Sequence, residues 1–307
     1  MTVPIVMTAF CRPILTRNSI LSILERSPRT NLIVSQDGKI PGFYEEDHES
    51  TRQVLKLLAR QYPQIKINLR DRNSGLTGHL VEVFHQTFKT YSNIIYVEED
   101  MRLDHDGFKF LTEINNDKGF SHRSVYSTTN HPATLNLLDY RLSYFPEQWG
   151  IAINYEVFEA FKEENLRKRV ERSLVKSIIL GLGYSRIRTE FLSDFWTQLL
   201  RQEVSAPHGW DATLQLALWR SDSPSRVSLK SFVKDLGGGE GSITKRIAQT
   251  EKFKIASGRH NLASFETCLF CEKQDALRRG FSPISQMRSR LRIRTRFSRY
   301  LELKKYL

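Results

Sequence analysis

Four short apolar segments alternate with amphipathic segments over the first 100 residues, and this alternation constrains the fold of the chain most strongly. In the segments between them, apolar residues recur near a period of 3.6, which is typical of helices that bury one face. Successive strand–helix units predict an α/β fold in which a mostly parallel sheet is flanked by helices. The predicted strands are residues 3–10, 31–38, 65–71 and 93–100, and the predicted helices are residues 14–27, 50–62 and 80–91.

Two local signals refine this first half. Ser50 is a candidate N-cap of the second helix, because its hydroxyl can accept a hydrogen bond from a backbone amide of the first turn. The glycines of residues 73–79 predict a turn between the third strand and the helix at 80–91.

The second half has a less regular pattern and is predicted to be largely helical. The predicted elements are strands within residues 124–130 and 141–158, a helix from about Glu156, helical segments over 163–203 and 212–220, and a flexible loop at 234–244. That loop contains four glycines, so it is a candidate lid over a bound ligand.

The composition narrows the class of protein. A hydrophobic content of 40% allows a sizeable core, and no apolar run reaches the roughly 18 residues of a spanning helix. The first residues lack a basic segment ahead of their apolar stretch, so they resemble a strand more than a signal peptide.

Three cysteines argue against a disulfide framework. Cys268 and Cys271 form a single CxxC with only His260 nearby, which favours free thiols over a zinc site.

The positive charge is concentrated at the C-terminus. The net charge is +12, and residues 278–307 contain ten Lys or Arg and one Glu. Basic residues interleaved with apolar ones are typical of a segment that binds an anionic membrane surface. A basic arm on nucleic acid and a solvated extension are the alternatives. Residues 1–277 are close to neutral, which argues against a nucleic-acid-binding body.

Charged residues follow each predicted strand of the first half. In open α/β sheets, ligands bind beyond the carboxyl ends of the strands. The residues at these ends are Arg12, Asp37, Asp71 and Asp100. Their recurrence predicts a polar site at this edge of the sheet.

The triplet Glu98-Glu99-Asp100 closes the strand predicted at residues 93–100, which is apolar until it reaches these acids. Side chains alternate along a strand, so Glu98 and Asp100 are expected to share one direction and Glu99 to take the other. Hard divalent cations take carboxylate oxygens, waters and phosphate oxygens as ligands. The triplet is therefore either part of a cation–diphosphate site or a solvated acidic turn.

The pattern around this triplet resembles the GT-A fold of glycosyltransferases, and most closely the inverting N-acetylglucosaminyltransferase I family, glycosyltransferase family 13. The triplet is similar to that family's EDD-type motif, and IVSQD at residues 33–37 matches a segment of the family. VPIVMTAFCRP resembles the family's first strand with its basic residue, here Arg12. YFPEQWGIAI at residues 144–153 is similar to the family's FFPGLGW segment. The resemblance covers residues 3–160 well and residues 190–245 loosely.

The resemblance implies a role for each matching residue. Asp100 is the expected ligand of Mn²⁺ or Mg²⁺, Asp37 is expected to hydrogen-bond the uracil of a UDP-sugar, and Arg12 to contact the nucleotide or its phosphates. Glu99 is expected to reach the ribose or the donor sugar, and Glu98 to support the loop. Trp149 takes an acceptor-side position. We group it with Arg12, Asp37, Glu98 and Glu99 as the nucleotide-sugar-binding residues.

Inverting transfer also needs a base that removes a proton from the acceptor hydroxyl. In the family this base is an Asp in a WDDW-like stretch that begins a helix. Asp211, which follows Trp210, is the preferred candidate, and Asp194 in Ser193-Asp194-Phe195-Trp196 is the alternative. Asp211 can also serve as a helix N-cap.

Together these features predict a metal-dependent inverting glycosyltransferase that moves a sugar from a UDP-sugar to a hydroxyl of a glycan or glycolipid, with N-acetylglucosamine as one candidate sugar. Residues 1–245 are the expected catalytic domain, divided into a nucleotide-binding half at 1–110 and an acceptor half at 111–245. Residues 246–307 form a C-terminal extension. We expect a cytoplasmic enzyme that docks on a membrane through its tail. A nucleotidyltransferase and a non-catalytic nucleic-acid-binding protein are the alternatives.

Overall fold

A computed structural model describes most of residues 3–235. The described residues are 3–115, 125–129, 140–143, 150–167, 171–181, 189–190, 192–194, 196–197, 200, 210–221 and 225–235. Trp149, the glycine-rich stretch at 237–241, Cys268, Cys271 and the basic tail lie outside these residues. The proposed division at residue 245 also falls outside them, so it stays a prediction.

The first half forms the strand–helix repeat that its hydrophobic pattern predicts. The strands are β1 (Ile5–Ala9), β2 (Leu32–Gln36), β3 (Ile65–Leu69) and β4 (Asn93–Glu98). The helices between them are α1 (Pro13–Arg26), α2 (Glu45–Gln61) and α3 (Gly75–Phe88). A short strand, β5 (Met101–Leu103), and helix α4 (His105–Thr112) follow β4 directly.

The described second half contributes both strands and helices. Its strands are β6 (Tyr126–Thr129), β7 (Tyr140–Ser143), β8 (Ile151–Asn154), β9 (Ser225–Ser231) and β10 (Val233–Asp235). Its helices are α5 (Tyr155–Arg167), α6 (Arg172–Gly181) and α7 (Asp211–Arg220). Strands β9 and β10 were not expected from the sequence.

Eight of these strands form one sheet in the order β3-β2-β1-β4-β8-β6-β9-β7. Strands β1 to β4 pair in parallel, and β6 and β9 are parallel to each other. Strands β7 and β8 run antiparallel to their neighbours. The predicted α/β class with a mostly parallel sheet flanked by helices is therefore confirmed.

Apolar side chains of alternate parity fill two cores, one on each face of the sheet. On one face, Met7, Ile95 and Val97 pack with residues of α1, α2 and α4. On the other face, Val6 and Tyr96 pack with residues of α3, α5 and α7. This is the period-2 pattern of a sheet that is covered on both sides.

Two predicted boundaries are wrong. Helix α2 begins at Glu45, with Tyr44 as its N-cap, so Ser50 lies inside the helix. Its first turn contains Glu45, Glu46 and Asp47, and their negative charges favour the positive helix N-terminus. Helix α3 begins at Gly75, so most of the predicted turn at 73–79 is helical.

None of the helices in the described residues is long and apolar enough to cross a membrane.

Candidate functional site

The order of the strands places the candidate site between β1 and β4. From β1 the chain continues to β2 and β3 on one side, and it then returns to β4 on the other side of β1. The crevice beyond the carboxyl ends of two such strands is the usual ligand site of an open α/β sheet. Arg12 follows β1, and Glu98-Glu99-Asp100 ends β4. The polar edge that the sequence predicts thus lies where the order of strands β1 to β4 reverses.

Arg12 joins two acids of the triplet. Its Nη1 donates a 2.8 Å hydrogen bond to Oδ2 of Asp100, and its Nε donates a 3.0 Å bond to Oε1 of Glu99. Nη2 of Arg12 lies 2.9 Å from the same Glu99 oxygen. A planar guanidinium that binds two carboxylates holds both of them in fixed directions.

Burial makes this contact electrostatically strong. Burial disfavours the charge of Arg12, but the nearby charges of Glu99 and Asp100 outweigh it and raise the pKa of the guanidinium above its ordinary value. Burial also raises the pKa of Glu99, and the charge of Arg12 opposes that shift. Arg12 therefore keeps its charge at neutral pH.

The carboxyl of Glu98 is directed toward Trp210 and Tyr96 and not toward Arg12. Its Oε1 accepts a 3.0 Å hydrogen bond from the indole Nε1 of Trp210 and a 3.3 Å bond from the hydroxyl of Tyr96. Burial, together with the charges of Asp100, Asp211 and Glu99, raises the pKa of Glu98 to about 8. A buried carboxyl among other acids is harder to ionise than a carboxyl in water.

The expectation that Glu98 and Asp100 share one direction is wrong. Strand β4 ends at Glu98, so the side-chain alternation of the strand does not extend to Glu99 and Asp100. These two residues lie in the turn before β5, where both carboxylates reach the guanidinium of Arg12.

Sequence reasoning missed two residues that hold the triplet in place. The buried hydroxyl of Ser19, in α1, donates a 2.6 Å hydrogen bond to the carbonyl of Glu99. Tyr96 lies two residues before Glu98 on the same face of β4, and its hydroxyl is 2.8 Å from Oγ1 of Thr8 in β1. The period of two in β4 was a signal for Tyr96. Ser19 gave no signal, because a serine in a helix has no pattern that marks it.

Asp37 lies at the carboxyl end of β2 and is almost fully buried. Its Oδ1 accepts a 2.9 Å hydrogen bond from the backbone amide of Gly38, and both carboxylate oxygens lie 3.2 Å from the amide of Ser74. Burial raises the pKa of Asp37, although these bonds and the charge of Arg70 oppose the rise. The carboxylate thus faces the N-terminus of α3, where a negative charge is favourable.

The two candidate bases have different surroundings. Asp211 is the first residue of α7, and its charge acts on Glu98 and Tyr96, so it lies beside the triplet. Asp194 is more than half exposed, and its Oδ1 lies 2.5 Å from Nε of Arg172. This geometry favours Asp211 over Asp194 as the base of any reaction at the triplet.

Other charged residues at this edge differ from expectation. Asp71 follows β3, but its side chain is 95% exposed and lies 3.9 Å from Nη1 of Arg52, so it is not part of the buried cluster. Strand β10 pairs with β5, and Asp235 lies opposite Met101. The chain thus leaves β10 next to Asp100, directly before the glycine-rich stretch that lies outside the described residues.

A divalent cation at the triplet stays a prediction, on which the charges of the neighbouring side chains bear. Arg12 is one positive charge beside the carboxylates of Glu99 and Asp100, so a further cation would favour binding of an anionic diphosphate here. No group of three or more His, Cys, Asp or Glu in the described part of the chain could hold a metal by itself. A cation bound by Asp100 would therefore take other ligands from phosphate and water, as Mg²⁺ commonly does.

No protein-family model and no curated protein matches this chain. Solved structures with some similarity include the bifunctional glycosyltransferase WbbM, at 11% identity and a TM-score of 0.35 over 75% of this chain and 38% of WbbM. Another is a putative glucose-1-phosphate thymidylyltransferase from Bacillus anthracis, at 10% identity and a TM-score of 0.42 over 80% and 94% of the two chains.

A third is the galactosyltransferase LgtC, at 11% identity and a TM-score of 0.30 over 50% of this chain and 58% of LgtC. The chain thus spans well under half of WbbM and little more than half of LgtC. All three TM-scores are below 0.5, so these similarities assign no function. The fold assignment rests instead on the strand order and register of the sheet itself.

Proposed function

We propose that this protein is a glycosyltransferase of the GT-A type that transfers a sugar from a UDP-sugar to a hydroxyl of a glycan or glycolipid. One observation carries the proposal: Arg12, the triplet at the end of β4 and Asp211 meet at the point where the strand order reverses. A nucleotide bound beyond strands β1 and β2 would direct its diphosphate toward the triplet.

Asp100 is the residue that would hold the cation, Mn²⁺ or Mg²⁺. Its Oδ2 is bonded to Arg12, and the described residues place no hydrogen-bond donor on Oδ1. A bound cation supplies positive charge to the leaving diphosphate. Arg12 keeps Glu99 and Asp100 in place, and the short bond from Ser19 fixes the backbone of the same turn.

Asp211 is the proposed base. In the transfer, the acceptor oxygen bonds to the anomeric carbon as the bond to the diphosphate breaks, and the acceptor proton passes to the Asp211 carboxylate. Attack from the side opposite the diphosphate inverts the anomeric centre. Asp211 is the first residue of α7, where the positive end of a helix is a favourable place for a negative charge.

Asp37 is the proposed contact for the uracil ring. Its carboxylate is already bonded to the amides of Gly38 and Ser74, so its position relative to β2 is fixed before a ligand binds. The hydroxyl of Ser74 and the amide of Gly75 also approach this carboxylate, so a uracil N–H would replace one of these donors on binding. The roles of Glu99 and Trp149 toward the donor and acceptor stay predictions.

We also propose that the basic tail docks the enzyme on an anionic membrane from the cytoplasmic side. Residues 286–307 contain eight Lys or Arg and one Glu. Each basic residue near an anionic surface contributes about 1 kcal/mol. Membrane docking suits an enzyme whose acceptor is a glycolipid.

A turnover assay tests the proposal. The full-length protein is incubated with Mn²⁺ and four donors, UDP-glucose, UDP-galactose and their N-acetylated forms, with oligosaccharide and lipid-linked sugar acceptors. We expect UDP release and an acceptor heavier by one sugar in mass spectrometry. A parallel reaction with nucleoside triphosphates and sugar 1-phosphates tests nucleotidyl transfer. Pyrophosphate release there, with no UDP release from any donor, would replace the proposal by the nucleotidyltransferase alternative.

A further inference from the structure

The contact between Glu98 and Trp210 joins the end of β4 to the start of α7 across 112 positions of sequence. Trp210 is 2% exposed, and it is the N-cap residue of α7. Asp211, the proposed base, is the next residue. Any shift of the Trp210 backbone therefore moves Asp211.

The contact belongs to a buried chain of hydrogen bonds. The Tyr96 hydroxyl has one proton, which it donates to Glu98, so the Thr8 hydroxyl donates to Tyr96. Thr8 and Glu98 are also register partners in the parallel pair β1–β4. The Trp210 ring meets the Tyr96 ring edge-on, with centroids 5.2 Å apart. Two strands of the sheet and the first turn of α7 are thus held in one arrangement.

The other end of α7 has a separate anchor. Nε of Arg220, the last residue of α7, lies 2.5 Å from Oε1 of Glu164 in α5. The side chain of Glu164 is 5% exposed. This ion pair fixes the end of the helix to α5, whereas the Trp210–Glu98 hydrogen bond fixes its first turn to the triplet. The two contacts therefore have different effects. The ion pair holds the helix in the fold, and the hydrogen bond sets the position of its first residue.

We infer that Glu98 is a positioning residue, which holds Asp211 at a set place relative to Glu99 and Asp100 through Trp210, and that it does not bind the donor or the cation. The inference rests on the proposed function and changes one role expected from the sequence, which counted Glu98 among the nucleotide-sugar-binding residues. Its carboxyl is directed at protein donors on β4 and α7, while the other two acids are directed at Arg12.

Two substitutions remove this bond from opposite sides. Trp210→Phe keeps an aromatic ring beside Tyr96 but removes the indole N–H, and Glu98→Ala removes the acceptor. Each should lower the UDP-release rate constant by 10-fold or more, because a displacement of about 1 Å at a reacting group can cost 100-fold. The double variant should lose no more than the worse single variant, since both remove one interaction. Glu98→Gln keeps an acceptor oxygen and should recover part of the rate.

Binding of UDP with Mn²⁺, measured by calorimetry, separates positioning from ligand contact. The dissociation constant should stay within about twofold of wild type in both variants. Glu164→Gln, at the other end of α7, should lower thermal stability without changing the rate per folded molecule. Trp219→Phe, a second buried tryptophan of α7, is the matched control for the aromatic change.

Each outcome has one meaning. A Glu98→Ala protein that binds UDP ten times more weakly, with Trp210→Phe unaffected, would make Glu98 a ligand contact and overturn the inference. Additive losses in the double variant would also overturn it. A wild-type protein that releases no UDP from any donor in the turnover assay overturns the proposed function, and the inference falls with it.

Discussion

Arg12 and Asp100 lie 88 positions apart in sequence, and a 2.8 Å hydrogen bond joins Nη1 of one to Oδ2 of the other. The parallel pair β1–β4 brings them together, because Arg12 follows one strand and Asp100 follows the other. The acid predicted as the cation ligand is therefore also one half of a buried ion pair.

Removing the guanidinium should destabilise the protein. Arg12→Ala leaves Glu99 and Asp100 without their buried partner, and breaking a buried pair from one side costs about 3–5 kcal/mol. Arg12→Lys keeps the charge but loses the planar fork, so it should cost less. Urea denaturation at pH 7 measures both. Arg17→Ala, at an exposed position of α1, is the control, and equal stability of the two alanine variants would contradict the role of Arg12.

Asp100→Asn should remove the part of UDP binding that depends on the cation. In the wild-type protein, UDP with Mn²⁺ should raise the melting temperature more than UDP with a chelator does. In the variant, the two shifts should be equal, and UDP affinity with Mn²⁺ should fall at least tenfold, or about 1.4 kcal/mol. Asp71→Asn, at the exposed end of β3, should behave as wild type. A variant that retains the Mn²⁺ effect would remove Asp100 as the ligand.

His79 should make the folded protein sensitive to acid. It is 2% exposed in α3, its Nε2 is 2.7 Å from the Ser35 hydroxyl, and burial with the charge of Arg70 lowers its pKa from 6.5 to about 4. As the pH falls, His79 gains its proton at a higher pH in the unfolded chain than in the folded protein. The free energy of unfolding is therefore unaffected by His79 above pH 6.5 and decreases as the pH falls toward 4. The loss is about 3 kcal/mol.

Denaturation midpoints between pH 4 and 7 measure this loss. His79→Gln should flatten the pH dependence over that range, since glutamine does not titrate. His85→Gln changes an exposed histidine of the same helix and should leave the slope as it is in wild type. An unchanged slope in His79→Gln would assign the acid sensitivity to other groups.

Gly38→Ala should disturb the loop that carries the Asp37 contacts. A Cβ at Gly38 would lie 2.2 Å from the backbone carbon of Arg72 and 2.4 Å from the backbone nitrogen of Asn73, so the two loops would have to separate. The expected loss is at least about 1–3 kcal/mol, with weaker UDP binding. At Gly181, an added Cβ meets nothing within 4 Å, so Gly181→Ala is the control and should be neutral or stabilising. A stable Gly38→Ala protein with normal UDP affinity would contradict this close contact.

Deleting residues 286–307 should release the protein from liposomes that contain phosphatidylserine. The deletion removes eight Lys or Arg, and electrostatic binding of this kind weakens with salt. Turnover of soluble acceptors should be unchanged. Neutral phosphatidylcholine liposomes are the control, and unchanged binding to the anionic liposomes would discard the membrane role of the tail.

The hydrophobic pattern of residues 3–98 by itself determined the strand–helix repeat. Each element buries one or both faces, and the spacing of its apolar residues depends only on neighbours in the sequence. It also placed Arg12, Asp37 and Asp100 at strand ends, since a chain that leaves a buried strand becomes polar. The starts of two helices were predicted wrongly, because apolar residues do not mark them. The start of α2 depends on the acidic first turn, and that of α3 on an amide bonded to Asp37, which is distant in sequence.

Only the tertiary structure decided which charges meet. The sequence contains the three acids in a row, but their directions depend on where β4 stops and on partners far along the chain. Arg12 donates hydrogen bonds to Glu99 and Asp100, and Trp210 donates one to Glu98. Long-range hydrogen bonds in a buried site are fixed by strand register and helix packing, and neither quantity is encoded in the spacing of neighbouring residues.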